Sequence, residues 1–222
     1  MITDATRGTV QRLANYRSVL VKLRNLGFVR VFSDNLGDAL GISASQVRKD
    51  FSQFDLRGNR RGGYQVDALL LRLNEILGKN ELQKVIVVGC GKIGTALMTS
   101  PGFSSEGIKV VAGFDVDPGI INPQGQLPIY DAADLTKVVE QKGIKVAIMT
   151  VPESAAGNVF EQLLSAGIRA VLNFTPVQLR GNGHNCIIQN VSIEREIENL
   201  FYFVKLSEIS DGGGPAVVPV AN

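Results

Sequence analysis

The feature that most constrains the fold is a run of four apolar residues followed at once by a glycine-rich turn. The run is Val85-Ile86-Val87-Val88, and the turn is Gly89-Cys90-Gly91-Lys92-Ile93-Gly94. Consecutive apolar residues are typical of a strand that is covered on both faces, as in a parallel sheet. Similar runs follow at residues 110–114, 146–150 and 170–174, with helical stretches between most of them. This alternation predicts βαβ units and therefore an α/β, Rossmann-type parallel-sheet domain.

The glycine turn has the GxGxxG spacing of dinucleotide-binding loops. We expect Gly89 to make the tight turn, Gly91 to let a pyrophosphate approach the backbone, and Gly94 to let the following helix pack on the strand. Asp115 lies 21 residues after Gly94 (115 − 94), close to the roughly twenty residues expected for an acid that binds the ribose. An acid at this place accepts a hydrogen bond from a 2′-hydroxyl and repels a 2′-phosphate, which predicts NAD(H) rather than NADP(H). The alternative is a glycine turn in an α/β fold that binds nothing.

The N-terminal part of the chain has a surplus of positive charge. Residues 1–61 hold eleven Lys and Arg against five Asp and Glu, a balance of +6. Residues 62–222 hold twelve against sixteen, a balance of −4. A basic head on an acidic body indicates a polyanionic partner for the head, the alternative being a solvated basic face without a partner.

The same basic segment is predicted to form a winged helix-turn-helix. Ser33 and Ser43 are predicted to cap its second and third helices, and Gln46 is placed to complete a capping box with Ser43. Two short helices joined across Gly41 have the dimensions of a helix-turn-helix, whose second helix enters a major groove. The basic, glycine-rich segment 57–63 resembles a wing. The three predicted helices span residues 10–26, 34–40 and 44–54, and a linker helix is predicted over residues 67–77.

The predicted DNA contacts lie on the third helix and on the wing, with one on the first helix. Gln reads adenine and Arg reads guanine bidentately, while Lys mainly attracts phosphate. The glycines of the wing allow a close approach to DNA, and Arg60 or Arg61 is expected to reach a minor groove. The predicted DNA-binding residues are Arg12, Ser45, Gln46, Arg48, Lys49, Arg57, Asn59, Arg60, Arg61 and Tyr64.

Catalytic chemistry is not predicted. The sole histidine, His184, lies in a Gly/Asn loop, whereas a dehydrogenase needs a proton donor near the nicotinamide. Cys90 is either a reactive thiol near a helix N-terminus or a small residue that fills the turn, and with Cys186 it makes neither a disulfide framework nor a zinc pattern. No membrane-length apolar run or signal-peptide pattern is present, so a cytoplasmic protein without metal or membrane partners is expected. The competing functional class is a small NAD-dependent oxidoreductase with a basic appendage.

Six segments together resemble the Rex family of redox-sensing transcriptional repressors, in order and with matching spacing over about residues 5–206. The resemblance implies a cytoplasmic homodimer that binds a palindromic double-stranded DNA operator and is released by NADH, whereas NAD⁺ is tolerated or favours DNA binding. It also implies that a C-terminal helix, Val191–Leu206, crosses to the partner subunit. The segments are Gln46–Ser52, the wing ending in Gly63-Tyr64, Gly89–Gly94, Phe114–Pro118, Thr150–Pro152 and Asn173–Val177.

The turn and the resemblance together define a domain plan and a cofactor site. The plan is a winged-helix domain over residues 1–80, a Rossmann NAD(H)-binding domain over 81–190, a swapped dimerisation helix over 191–206 and a flexible tail over 207–222. The implied cofactor-binding residues are Gly89, Gly91, Lys92, Ile93, Gly94, Asp115, Val116, Thr150, Val151, Pro152, Asn173, Thr175, Pro176 and, from the partner subunit, Ile193.

The chain departs from the Rex pattern at three positions. The resemblance implies a ligand-sensitive cluster of an Arg on the first helix, a Tyr ending the first Rossmann helix and an Asp ahead of the swapped helix. Here these positions hold Ser18, Ser100 and Ser192. Serines are short and neutral, so redox discrimination is expected to be blunted unless Arg17 or Glu194 takes over. The alternative function is a Rex-like DNA-binding paralogue with weak or lost sensing, in which the nucleotide is structural or the ligand is different.

Overall fold

The computed structural model describes residues 5–59, 61–181 and 185–211. The chain divides into two compact units between Glu81 and Leu82. Among the described residues no helix is both long enough and apolar enough to cross a membrane.

The described part of the first unit packs helices and a two-stranded antiparallel sheet around one core. The core draws one apolar face from each helix, and Leu13, Leu36, Val47 and Leu73 are all fully buried in it. The elements are α1 (Arg7–Asn25), β1 (Arg30–Val31), α2 (Ser33–Leu40), α3 (Ala44–Gln53), β2 (Tyr64–Gln65) and α4 (Val66–Ile76).

The caps of the second and third helices differ from those predicted. The N-cap of α2 is Phe32, whose backbone N–H donates to Asn35 Oδ1 at 2.9 Å, and Ser33 is the first helical residue. The predicted cap at Ser33 is therefore wrong. Ser43 does cap α3, because its Oγ accepts from Gln46 N at 3.2 Å. The amide of Gln46 turns to Asp50 instead of back to Ser43, so only half of the predicted capping box forms.

The helix predicted as a linker is part of the first core. Leu69 and Leu70 of α4 are buried together with Leu73, and the helix packs against α1. Its apolar stripe is thus covered within its own unit.

The second unit is built on a six-stranded, all-parallel sheet in the order β5-β4-β3-β6-β7-β8. Within β3, Ile86 and Val88 belong to one buried cluster while Val85 and Val87 belong to another. The strand is therefore covered on both faces, as its four apolar residues predict. The strands are β3 (Gln83–Val88), β4 (Ile108–Asp115), β5 (Ile129–Asp131), β6 (Val146–Met149), β7 (Ala170–Asn173) and β8 (Ile187–Asn190).

The helices of the second unit include a final helix whose large apolar side chains are not covered by the described residues. Its large apolar residues are exposed along its described length, from Ile193 to Ile209. This helix runs five residues past the predicted end at Leu206, and residues 212–222 of the predicted tail lie outside the described residues. The helices are α5 (Lys92–Met98), α6 (Pro101–Ser105), α7 (Leu135–Lys142), α8 (Glu153–Ser165) and α9 (Ile193–Asp211), with a 3₁₀ turn at Ala132–Asp134.

Candidate DNA-reading surface and nucleotide turn

The third helix separates its apolar and polar residues by helical spacing. Val47 and Phe51 are fully buried, while Ser45, Arg48 and Lys49 are exposed on the other side. The Ser45 hydroxyl lies 2.9 Å from Ser43 Oγ. One face of α3 is therefore available to a partner, and it carries two cations.

A buried carboxylate ties two of the predicted DNA-binding residues together. Asp50 is 2 % exposed and accepts from Arg12 Nε at 2.6 Å and Nη2 at 2.8 Å. It also accepts from Tyr16 Oη at 2.8 Å and from Gln46 Nε2 at 2.7 Å. Burial by itself would raise the pKa of Asp50, but the hydrogen bonds from Arg12, Tyr16 and Gln46 outweigh it and hold that pKa below its usual value. Asp50 is thus an ionised group on α3 that can only accept hydrogen bonds.

The wing is a tight turn between Asn59 and Gly63. Gly63 N donates to Asn59 O at 2.7 Å, and Asn59 N donates to Gly63 O at 2.9 Å. Asn59 Oδ1 also accepts from Arg61 N at 2.9 Å, so this side chain shapes the turn. Arg57 and Arg61 are exposed, although Arg57 Nε lies 2.6 Å from the carboxylate of Asp55.

Tyr64 joins the wing to the third helix. Its ring packs edge-on against Phe51 with the ring centroids 5.1 Å apart. A groove of about 530 Å³ lies between Tyr64, Arg48 and the start of α2. Arg60, the remaining predicted wing contact, lies outside the described residues.

The glycine turn lies where the strand order reverses. The strands β3 and β6 are neighbours, and the chain reaches β4 on the other side of β3 before it returns to β6. Open α/β sheets bind ligands outside the carboxyl ends of their strands at such a point. Gly89 follows β3 and Thr150 follows β6, and Thr150 Oγ1 donates to Gly89 O at 2.6 Å.

The three glycines of the turn meet different steric demands. Gly89 has φ +89°, where any side chain is strained, and a Cβ on Gly94 would lie 1.9 Å from Gly89 O. A Cβ on Gly91 would meet nothing within 4 Å. The turn itself therefore requires Gly89 and Gly94, whereas Gly91 borders open space. This cradle of bare backbone fits the pyrophosphate of a dinucleotide.

Asp115 fastens the glycine turn to the end of β4. Its Oδ2 accepts from Cys90 N at 2.6 Å, and its Oδ1 accepts from Val116 N at 2.8 Å and Asp117 N at 3.0 Å. A carboxylate has about four acceptor positions, so these three bonds leave room for one more donor such as a ribose hydroxyl.

The thiol of Cys90 fills the inside of the turn. Its side chain is 2 % exposed, and Sγ lies 3.5 Å from Phe114 O. Burial first, and then the charge of Asp115, raise the pKa of Cys90 to about 11. The thiol stays protonated at neutral pH, which favours the small, space-filling residue over the reactive one.

A buried polar network lies at the carboxyl end of β7. Asn173 Oδ1 accepts from Thr175 N at 3.0 Å and Thr175 Oγ1 at 2.8 Å. Asn173 Nδ2 donates to Val177 O at 2.7 Å and to Asn190 Oδ1 at 2.8 Å. Asn173 and Thr175 thus shape the loop that follows β7. The other implied cofactor contacts in this unit are half-buried or exposed: Lys92, Ile93, Val116, Val151, Pro152, Pro176 and Ile193.

The three serines that depart from the family pattern lie in, or directly before, three different helices. Ser192 Oγ caps α9 by accepting from Arg195 N at 3.2 Å, and it lies 3.1 Å from Glu194 Oε2. Ser100 precedes the short helix α6, and Ser18 is half-buried on α1. Arg17, a candidate replacement for the missing cation, donates from Nε to Asn74 Oδ1 at 2.6 Å within the first unit.

Asp50 and Tyr16 are buried residues in contact with predicted DNA-binding residues, and the sequence analysis did not identify them. The available signal was the i, i+4 spacing of Gln46 and Asp50 on one helix. His184 lies outside the described residues, and within those residues no group of three or more His, Cys, Asp or Glu is placed to hold a metal.

Part of each unit matches the model of a known protein family. A model described as the N-terminus of a putative DNA-binding protein matches residues 6–52, and a CoA binding domain model matches residues 80–177. The redox-sensing transcriptional repressor Rex of Oenococcus oeni is 38 % identical over 208 residues, which cover 91 % of this chain and 94 % of that protein.

Two crystal structures of RSP, a Rex-family repressor, are similar over nearly the whole chain. The complex with β-NAD⁺ and operator DNA has a TM-score of 0.86 at 26 % identity and covers 95 % of this chain and 97 % of that one. The complex with β-NADH has a TM-score of 0.80 at 26 % identity and covers 95 % and 99 %.

Proposed function

We propose, from the fact that this chain belongs to the Rex family of redox-sensing transcriptional repressors, that it represses genes by binding operator DNA and leaves the DNA when it binds NADH. The observation that carries the proposal is the likeness, over 95 % of the chain, to a repressor whose structures hold operator DNA with NAD⁺ in one case and NADH in another.

The exposed face of α3 is the proposed base-reading element. Arg48 and Lys49 are exposed in the first two turns of the helix, and the wing carries the exposed Arg57 and Arg61. Arg in a major groove reads guanine, while Lys and the wing cations hold phosphates. Arg12 Nη1 has no bond within the described residues, so we propose that it holds a phosphate while Nε and Nη2 hold Asp50.

The glycine turn is the proposed cofactor site. The open backbone at Gly91 accepts the pyrophosphate, and the free acceptor position of Asp115 takes a ribose hydroxyl. The negative charge of Asp115 disfavours a 2′-phosphate, which supports NAD(H) over NADP(H). The nicotinamide of the bound cofactor supplies the redox-dependent charge. The loops after β6 and β7 would line its pocket through Thr150, Val151, Pro152, Thr175 and Pro176, with Asn173 holding the β7 loop in shape.

The proposed assembly is a homodimer in which α9 packs on the partner subunit. A helix that exposes Leu200, Phe201 and Val204 needs a cover, and a dimer supplies the two-fold axis that a palindromic site requires. Ile193 of the partner would then contact the nicotinamide. Truncation after Asn190 should give monomer or aggregate in light scattering, and a stable, operator-binding dimer without α9 would contradict the exchange.

An oxidoreductase has less support than a repressor. The chain's curated relatives are named as repressors, and the Cys90 thiol is buried and protonated. Substrate-dependent oxidation of NADH combined with failure to bind any DNA would reverse this preference.

Separate titrations of NADH and NAD⁺ against operator-bound protein test the proposed function. NADH should release the DNA at lower concentration than NAD⁺. The ratio of the NAD⁺ concentration to the NADH concentration that releases the DNA should stay below about 100-fold, toward the upper end of usual allosteric coupling. The reason is that Ser18, Ser100 and Ser192 carry no charge. A ratio above that value would mean that other residues supply the switch. Release by both cofactors at equal concentration, or by neither, would instead support the paralogue with lost sensing.

A further inference from the structure

The carboxylate of Asp50 is saturated with donors from two helices. Each oxygen accepts two hydrogen bonds: Oδ2 from Arg12 Nε and Tyr16 Oη, and Oδ1 from Arg12 Nη2 and Gln46 Nε2. About four acceptor positions are available on a carboxylate, so all are filled. Arg12 and Tyr16 belong to α1, whereas Gln46 and Asp50 belong to α3. The orientation of the Gln46 amide is thus set from outside its own helix as well as within it.

An ionised carboxylate only accepts, so the amide of Gln46 must present its nitrogen to Asp50. The reverse orientation would bring Gln46 Oε1 against Asp50 Oδ1, and the two acceptors repel. Within the described residues nothing else bonds to this amide. Oε1 and one N–H proton therefore remain for a partner in a known orientation.

An acceptor beside a donor is the pair that adenine requires in the major groove, where N6 donates and N7 accepts. Guanine presents two acceptors there, O6 and N7. An amide that rotates freely can offer its nitrogen or its oxygen as the base requires, whereas an amide held by one proton cannot. Gln46 lies in the first turn of α3, four residues before Asp50, and is half-buried next to the exposed Ser45.

We propose that Asp50 is a specificity-determining positioning residue: by holding the Gln46 amide in one orientation it makes Gln46 select an A·T pair in the operator. Asp50 touches no base itself. Arg12 holds it with two hydrogen bonds, and its effect on the DNA passes through Gln46. The inference rests on the proposed operator binding.

The test is selection of binding sites from a randomised double-stranded DNA library by the full-length protein. The native chain should prefer A·T over other pairs at one position of each half-site by roughly 5- to 150-fold, the discrimination expected of one bidentate contact. Gln46→Ala should erase that preference and so mark the position. Asp50→Asn, whose amide can donate as well as accept, should reduce the preference at the same position by about fivefold or more. Preferences elsewhere in the site should remain.

Tyr16→Phe is the matched control, because it removes a different hydrogen bond from the same buried carboxylate. It should lower thermal stability without changing the A·T preference. In the Gln46→Ala background, Asp50→Asn should cause no further change in discrimination. A role for Asp50 in folding alone predicts instead that Asp50→Asn and Tyr16→Phe weaken binding to all sequences equally.

A measurement on the native protein covers the case in which Asp50→Asn does not fold. The side-chain amide of Gln46, assigned by its absence from the Gln46→Ala spectrum, should show one NMR proton resonance protected from solvent exchange and one that is not. Two equally exchanging protons would overturn the proposal, as would an Asp50→Asn selection profile identical to that of the native chain. Failure of the native chain to select any sequence would overturn the proposed function as well, so the two failures are distinguishable.

Discussion

The wing and the nucleotide turn are both glycine-rich, yet they approach anions by different physical means. The wing surrounds its backbone with exposed cations such as Arg57 and Arg61. The nucleotide turn presents bare backbone at Gly91 and is fastened by the carboxylate of Asp115. Attraction by exposed cations is long-ranged and screened by salt, while backbone donors act at contact distance and demand shape. One chain thus carries a surface suited to a long polyanion and a turn suited to a single pyrophosphate.

The largest expected effect follows from filling the space at Gly91. The backbone there has φ −65°, which other residues adopt, and a Cβ meets nothing within 4 Å. Gly91→Val should therefore fold normally but lose NAD(H) binding in calorimetry, because its methyl groups occupy the space of the pyrophosphate. Operator affinity should be unchanged.

Substitutions at two other glycines serve as comparisons for Gly91→Val. Gly94→Ala should disturb the turn itself, since its Cβ would lie 1.9 Å from Gly89 O. Gly157→Ala in α8 has open space around it and should bind cofactor normally, with a gain in stability of about 0.5–1 kcal/mol from helix propensity. Tight NADH binding by Gly91→Val would contradict the shape requirement.

The next effect concerns the carboxylate that fastens the turn. Asp115→Ala removes a charged acceptor, and such hydrogen bonds are worth about 1.5–3 kcal/mol, or roughly 10- to 150-fold in NADH affinity. The preference for NADH over NADPH should narrow at the same time, because the charge that repels a 2′-phosphate is gone. If the unmodified protein binds NADPH more tightly than NADH in calorimetry, the role assigned to Asp115 is wrong.

Substitution of the cations on α3 should change operator binding and its dependence on salt, and should leave cofactor binding at the glycine turn unchanged. Arg48→Ala should cost about 1–3 kcal/mol of operator binding and relax base preference at one position. Lys49→Ala should weaken binding to all sequences and reduce the slope of log affinity against log salt by about one. NADH affinity should be unaltered in both variants. Operator affinity equal to that of the native chain across a salt series would remove α3 from the interface.

The strands and the glycine turn were predictable because their signals are local. Four apolar residues define β3, and the GxGxxG spacing and Asp115 follow from the chain order of a βα unit. The strand β5 was missed, since Ile129–Asp131 is short, lies at the sheet edge and is only half-buried. A pattern of three residues is too brief to show periodicity.

One of the missed details is set by a neighbouring side chain, and the other depends on residues far apart in the chain. Ser33 has the composition of a cap, but the Asn35 side chain places the cap one residue earlier at Phe32. The Gln46 side chain does not complete the capping box because it donates to the charged Asp50 instead. Asp50 can be both charged and buried because Arg12, 38 residues away in the chain, donates to it. No local pattern encodes that pairing.

We claim above all that this chain couples cofactor binding to operator binding. Coupling between two sites is reciprocal. If NADH lowers the affinity for the operator by some factor, the operator lowers the affinity for NADH by the same factor. The direct measurement is calorimetric titration of NADH into the protein, free and saturated with operator. We predict a weaker NADH affinity in the presence of operator, by about 5- to 100-fold, and a smaller change for NAD⁺. Equal NADH affinities in the two titrations would contradict the claim.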